Sequence, residues 1–196
     1  MDATLRALLA ELEAWGKNND AREQERGKKM LNLDPNSAQL IGILLRSSRS
    51  TRLLEIGTSN GYSTIWLAWA ARPLGGRVIS IDANADKHVL ADANLRRAGL
   101  HEAVKLVHGD ATAVVADLAG PFDFVLFDAD RLSAPAQLAL LRPKLAPGAL
   151  VLADNALSHP AEIAGYLEAV RGCPEFDHVI VPVGKGLSLV YKRPEV

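Results

Sequence analysis

Apolar positions along this 196-residue chain follow two successive patterns. Leu5, Leu8, Leu9, Leu12 and Trp15 recur at the spacing of one helix face, which predicts an amphipathic helix over 3–15. Residues 17–29 carry charges of both signs, a helical or mobile stretch with Arg26, Lys28 and Lys29 on a solvated face. Asp34 and Pro35 supply a cap and a first-turn proline for a helix to Arg46. Short apolar runs at 52–56, 77–82, 103–107, 122–128 and 149–154 then alternate with helical segments at 61–71, 86–98, 111–118, 133–145 and 160–171. Gly99 stops the second of those helices, and Pro147-Gly148 sets up the fifth strand. The tail breaks the alternation, with strands at 178–183 and 187–191 joined by the turn Gly184-Lys185-Gly186. This order predicts an α/β, doubly wound, mostly parallel sheet with a C-terminal antiparallel hairpin and an N-terminal helical extension. One domain over 1–196 is expected, with N-terminal helices in 1–48 and the α/β core in 51–196.

Composition narrows the classes. A net charge of −1 gives no electrostatic case for nucleic acid or an anionic membrane. No apolar run approaches the ~20 residues that span a bilayer, and the first residues lack a signal-peptide pattern. The single cysteine, Cys173, forms no internal disulfide and fits a reducing compartment, so a soluble cytoplasmic protein is expected. Trp66 and Trp69 read as packing residues, Asn94, Arg96 and Arg97 as a solvated helix face, and His88, His101, His108 and His178 as scattered.

The richest stretch runs from Leu53 to Ala68. A buried strand ends at Glu55, Ile56 and Gly57, turns, and restarts as a helix at Gly61-Tyr62. Such a turn lets a ligand approach bare backbone at a helix N-terminus. It is not the G-x-G-x-x-G of dinucleotide enzymes, because Ser59 stands where the second glycine belongs. Glu55 places a carboxylate where a pyrophosphate would sit, which favours a cationic or hydroxyl-rich ligand. Asp82, ending the next strand, is placed to hydrogen-bond a ribose diol. Glu55, Asp82, Asp110, Asp128 and Asp154 put acids at five successive strand ends, the edge where open α/β sheets bind ligands. With strands about 4.8 Å apart, Asp128 and Asp154-Asn155 converge. Two carboxylates and an amide oxygen form a half-shell suited to Mg²⁺, Ca²⁺ or Mn²⁺.

Taken together, Glu55, Gly57, Gly61 and Asp82 resemble the cofactor site of class I S-adenosylmethionine (SAM) methyltransferases. The stretch from Leu31 to Tyr191 resembles the metal-dependent O-methyltransferases, the group that includes the catechol and caffeoyl-CoA enzymes. Leu53 to Thr58 with Gly61, Tyr62 and Ser63 matches the first motif of that family, Asp82 its ribose-binding acid, and Gly109-Asp110-Ala111 the segment beside the adenine. Asp128, Asp130 and Asp154-Asn155 match the metal-bearing strand ends, and Met30 to Leu33 with Gln39-Leu40 the segment that closes over the cofactor. The resemblance implies a Rossmann-like, seven-stranded sheet. It implies SAM bound by Leu33, Glu55, Gly57, Ser59, Gly61, Tyr62, Ser63, Asp82, Asp110, Ala111 and Asp128, and a divalent cation on Asp128, Asp154 and Asn155. It also implies methyl transfer to a hydroxyl of a small, catechol-like acceptor, and a homodimer.

Arg131 departs from the family pattern, which carries a lysine there as proton acceptor, and the tyrosine that follows is absent. Arginine stays protonated, so the proton must pass to the cation, to solvent or to another residue. His159 is the expected base, since histidine is the side chain that titrates near neutrality, although a helix cap before Pro160 is its simpler role. Arg131 is expected instead to neutralise a phenolate or carboxylate on the acceptor, completing a catalytic set of Asp128, Arg131 and His159. Two other readings compete: a metal-independent SAM methyltransferase acting on another nucleophile, and a SAM-binding protein that has lost catalysis.

Overall fold

A computed structural model of the chain describes residues 1–194. Fourteen elements follow in order: α1 (Ala3–Arg22), α2 (Pro35–Ser48), β1 (Arg52–Ile56), α3 (Tyr62–Ala71), β2 (Arg77–Asp82), α4 (Ala85–Arg97), β3 (Val104–His108), α5 (Ala111–Asp117), β4 (Phe122–Phe127), α6 (Ala134–Leu141), β5 (Leu145–Ala153), α7 (Pro160–Arg171), β6 (Phe176–Val181) and β7 (Leu187–Lys192). They build one seven-stranded sheet in the order β3-β2-β1-β4-β5-β7-β6. β1 to β5 run parallel, and β7 is antiparallel to both β5 and β6. This is the expected Rossmann-like doubly wound sheet with its C-terminal hairpin.

The central strands are apolar on both faces because helices cover both. Alternation along β4 sends Phe124 and Leu126 into a core shared with α1, α2 and α3, through Leu9, Ile41 and Ile65. Val125 and Phe127 point the other way, to Leu138 of α6 and to Ile163 and Tyr166 of α7. Asp34 caps α2 as expected, its carboxylate accepting from Asn36 N at 2.9 Å and Ser37 N at 3.4 Å. Trp66 and Trp69 pack edge to face, centroids 5.7 Å apart, against Gly42 of α2, with Arg46 4.9 Å above Trp69.

Several boundaries differ from expectation for identifiable reasons. α1 continues to Arg22 because its buried stripe runs from Leu12 to Gly16, not to Trp15, which is 42% exposed. A Cβ at Gly16 would lie 2.5 Å from Asn32 Nδ2, so the returning chain crosses there. β5 starts at Leu145, and Pro147-Gly148 lies in an irregularity inside it, between the pairs Phe122↔Leu145 and Phe124↔Leu150. The helix predicted over 133–145 ends at Leu141 and tightens into a 3-10 turn at Arg142–Lys144, where Pro143 has no amide to continue it. β6 stops before Pro182 for the same reason. Asn94 is not solvated: it is buried, and its Nδ2 donates to Asn60 O at 2.9 Å. His88 and His108 are not scattered but stack edge to face at 5.7 Å. Cys173 is buried, and burial pushes its thiol pKa up. Among the described residues no helix is long and apolar enough to cross a membrane.

Candidate active site

The winding direction reverses between β1 and β4, and the loops at that switch point open a cavity of about 580 Å³. Gly57 leaves β1 with φ +109, its amide bonded to Ile81 O at 2.9 Å. Asp128 N donates to Ile56 O at 2.8 Å, and a Cβ on Gly57 would meet Asp128 O at 2.2 Å. Only bare backbone fits between these strand ends. Gly61, also left-handed at φ +85, caps α3 without a side chain and does not itself line the cavity. It starts the helix so that Tyr62 and Ser63 do.

Asp82 lines the cavity and organises one end of it. Its Oδ2 accepts from Ser59 N at 2.8 Å and its Oδ1 from Asn84 N at 2.9 Å, which binds the loops after β1 and β2 to one carboxylate. Ser59 Oγ donates to Met30 O at 2.6 Å, tying the same loop to the segment above it. That segment places Met30, Leu31 and Leu33 on the cavity wall. Asp20 holds it from behind, accepting from Met30 N at 2.6 Å and Leu31 N at 2.8 Å.

Besides Gly61, three expected cofactor residues lie elsewhere. Glu55 is fully buried beneath the loop and does not reach the cavity. Its Oε2 accepts from Thr64 Oγ1 and from Ser80 Oγ, the latter at 2.5 Å, bracing α3 against β2. Burial pushes its carboxyl up to about 7, against the pull of the Ser63, Ser80 and Thr64 hydroxyls. Asp110 is exposed and caps α5 through Ala113 N at 2.9 Å, and neither it nor Ala111 lines the cavity.

At the other end, Asp128 and Asn155 line the cavity while Asp154, 2% exposed, lies behind them in a small adjoining void. Asp154 N donates to Phe127 O at 3.0 Å, which registers the two strand ends. Burial, then the charge of Asp154, raises the Asp128 pKa well above the usual range, and burial raises that of Asp154. Asp154 Oδ2 accepts from Asn155 Nδ2 at 3.0 Å, and its Oδ1 has no partner. A buried, unpaired carboxylate oxygen beside a second acid is what a hard cation would satisfy. Among the described residues no group of three or more His, Cys, Asp or Glu side chains could hold a metal. These residues therefore fit a divalent ion only as a half-shell completed by solvent and acceptor.

Arg131 lines the same wall but is already engaged, its Nε and NH2 donating to Glu162 Oε2 at 3.1 and 2.7 Å. The free positive charge expected there is taken. His159 lines the cavity. It precedes α7 without capping it through its side chain. Its Nδ1 lies 2.9 Å from Ser158 Oγ, which donates to Asn155 Oδ1 at 3.1 Å. Lys185, from the hairpin turn, completes this end. Lys185 lies in the turn Gly184-Lys185-Gly186, which the sequence places in the acceptor pocket, whereas Asp20, Asn84 and Glu162 escaped the sequence reading. Asn84, which also caps α4, carried a signal in its place before a helix, whereas Asp20 and Glu162 act through partners in other segments.

A glycine loop framed by main chain, a carboxylate at the second strand end and an acid pair at the fourth and fifth define a nucleoside-binding α/β protein of the class I methyltransferase type. A family model described as "Methyltransferase domain" matches residues 54–156. A catechol O-methyltransferase of Mycobacterium tuberculosis is 35% identical over 152 residues, 77% of this chain and 65% of the relative. One from Niastella koreensis is 33% identical over 137 residues, 68% and 62%. The chain thus spans slightly less than two thirds of the length of these curated relatives. Among solved structures, an O-methyltransferase from Bacillus cereus in complex with S-adenosylhomocysteine (SAH) aligns with TM-score 0.81 at 25% identity, over 98% of this chain and 92% of that one. TomG from Streptomyces achromogenes, in complex with SAM, aligns with TM-score 0.79 at 25% identity, over 99% and 91%. The chain belongs to the methyltransferase-domain family.

Proposed function

We propose that the chain moves a methyl group from SAM to a hydroxyl of a small, catechol-like acceptor, with a divalent cation at Asp128, Asp154 and Asn155. One observation carries the reading: a single cavity runs from the Asp82 carboxylate to the Asp128–Asn155 wall, with room for a nucleoside and an acceptor end to end. When bound, SAM supplies a methyl group already activated on a sulfonium, and the cation supplies charge that makes a coordinated hydroxyl more acidic.

The protein's own work is positioning. Asp82, fixed by two backbone amides, retains lone pairs for a ribose diol. Met30 to Leu33 cover that end and exclude water. Asp128 and Asn155 orient the acceptor hydroxyl at the opposite wall. Alignment of this kind contributes as much as ~7–11 kcal/mol, against about 10²–10⁴-fold for a proton acceptor. Activity therefore does not require the family lysine.

His159 serves as proton acceptor in this reading. The Ser158 hydroxyl gives its hydrogen to Asn155 Oδ1, so its lone pair faces His159 Nδ1–H. In the neutral ring that leaves Nε2 unprotonated and without a protein partner. Arg131, neutralised by Glu162, shapes the wall and does not pair with the acceptor. The proposal extends to a cytoplasmic homodimer with no nucleic-acid or membrane partner.

A second reading, methyl transfer without a cation, is favoured by Lys185, whose charge opposes in part the burial that raises the pKa of both Asp128 and Asp154. Calorimetric titration with SAM, with and without Mg²⁺ and a catechol, tests both. SAM binding followed by Mg²⁺-dependent methylation supports the first. Turnover that survives chelation and Asp154→Ala selects the second, and no affinity for SAM or SAH ends the proposal.

A further inference from the structure

We infer that Lys185 is a recognition site for a carboxylate carried by the acceptor, which makes the acceptor class a hydroxylated aromatic acid rather than a neutral catechol. This rests on the reading that this end of the cavity takes the acceptor. The turn between β6 and β7 is pinned from two sides. Leu157 N and Ser158 N donate to Lys185 O at 3.0 and 3.1 Å, Ala156 N donates to Gly186 O at 2.9 Å, and Gly186 N closes the turn on Val183 O at 2.8 Å. Gly184 and Gly186 have φ of +54 and +86. A Cβ at Gly184 would lie 2.6 Å from Ser37 Oγ, and one at Gly186 2.5 Å from Leu157 Cγ. Two glycines therefore wedge the turn between the start of α2 and the loop after Asn155, and the residue between them is delivered to the cavity wall.

On that wall Arg131 is bound by Glu162, whereas Lys185 has no ion pair or side-chain hydrogen bond among the described residues. A half-buried ammonium without a direct partner is unfavourable. Asp128 and Asp154 offset part of that cost from a distance, and an entering anion would offset more. Two exposed leucines, Leu31 and Leu132 (43% and 72% exposed), add apolar surface to the lining of the same cavity. Leu157, 54% exposed, abuts the same turn at Gly186. An aromatic ring fits the apolar surface and a single carboxylate fits the lysine. Asp128, Asp130 and Glu162 on the same wall disfavour a dianion such as phosphate.

The test uses protocatechuate and its methyl ester, titrated calorimetrically into the SAH-saturated protein, so that binding is read whether or not methyl transfer occurs. The wild type is expected to bind the acid about tenfold more tightly than the ester. Lys185→Gln is expected to bind the two alike, and Lys185→Arg to keep the preference, with melting temperatures confirming that both variants fold. Equal affinities in the wild type, or a preference that survives in Lys185→Gln, overturns the inference. A lysine-dependent preference without any methylated product supports it and counts against O-methyl transfer alone.

Discussion

The two ends of the cavity are held by different kinds of contact. At the Asp82 end, proposed for the ribose, the frame is built on main chain: the Ser59 and Asn84 amides on Asp82, Gly57 on Ile81, and Gly57 against Asp128 O. At the other end, proposed for the acceptor, main-chain bonds hold the hairpin turn and the strand ends, but the polar groups of the wall are set side chain on side chain: Asn155 on Asp154, Ser158 between Asn155 and His159, and Arg131 on Glu162. A frame of backbone tolerates few residue types and leaves a readable motif. A frame of side chains is built by partners that sequence order does not reveal, and it is where one member of a fold family comes to differ from another.

The sharpest way to break this contrast is Gly57→Ala. The added methyl has no room beside Asp128 O and the backbone is left-handed there. Loss of SAH binding and destabilisation on the order of 4 kcal/mol are expected, read by calorimetry and thermal melting. A variant that binds SAH normally would disprove the main-chain frame. Asp82→Asn comes next, because an amide can accept one of the two backbone amides well but not both. SAH affinity is expected to fall about a hundredfold, with acceptor affinity moving far less. Asp20→Asn loosens the cover from outside the cavity and is expected to weaken SAH about tenfold, while amide exchange at Met30 and Leu31 accelerates. Unchanged exchange at those amides would assign the latch elsewhere.

The smallest effect on the cavity concerns Glu55, which lies beneath it and acts on stability. Its folded carboxyl at about 7 exceeds the ordinary 4.5, so the folded chain keeps a proton that the unfolded chain releases. That stabilisation is complete below the unfolded value and is lost as pH rises through about 7. Between about pH 5 and about pH 8 the melting temperature of the wild type should fall by roughly 5–10 °C relative to Glu55→Gln. Parallel pH curves for the two proteins would show that Glu55 is ionised in its buried site.

Much of the fold was legible because parallel strands covered on both faces are continuous apolar runs. The run Phe122 to Phe127, with its two buried faces, is the plainest case. The irregularity at Pro147-Gly148 was not legible, since a bulge is defined only against its partner strand. Glu55 was misread although alternation held the answer. It lies two residues from Leu53, which packs on the α3 side, so its carboxylate turns under that helix and not toward the loop. Asp82, Ser59, Asp128 and Asn155, all named from the sequence, do line one cavity. Lys185 and Glu162 acquire meaning only once α7 and the hairpin are folded beside β4.

Gly184 rests against Asp34, one residue beyond the cover that ends at Leu33. Under the proposed function, the segment over the nucleoside and the wall facing its co-substrate thus share a fulcrum. On that reading the linkage favours a compulsory sequence of entry, with the nucleoside seated before the second guest finds its berth complete.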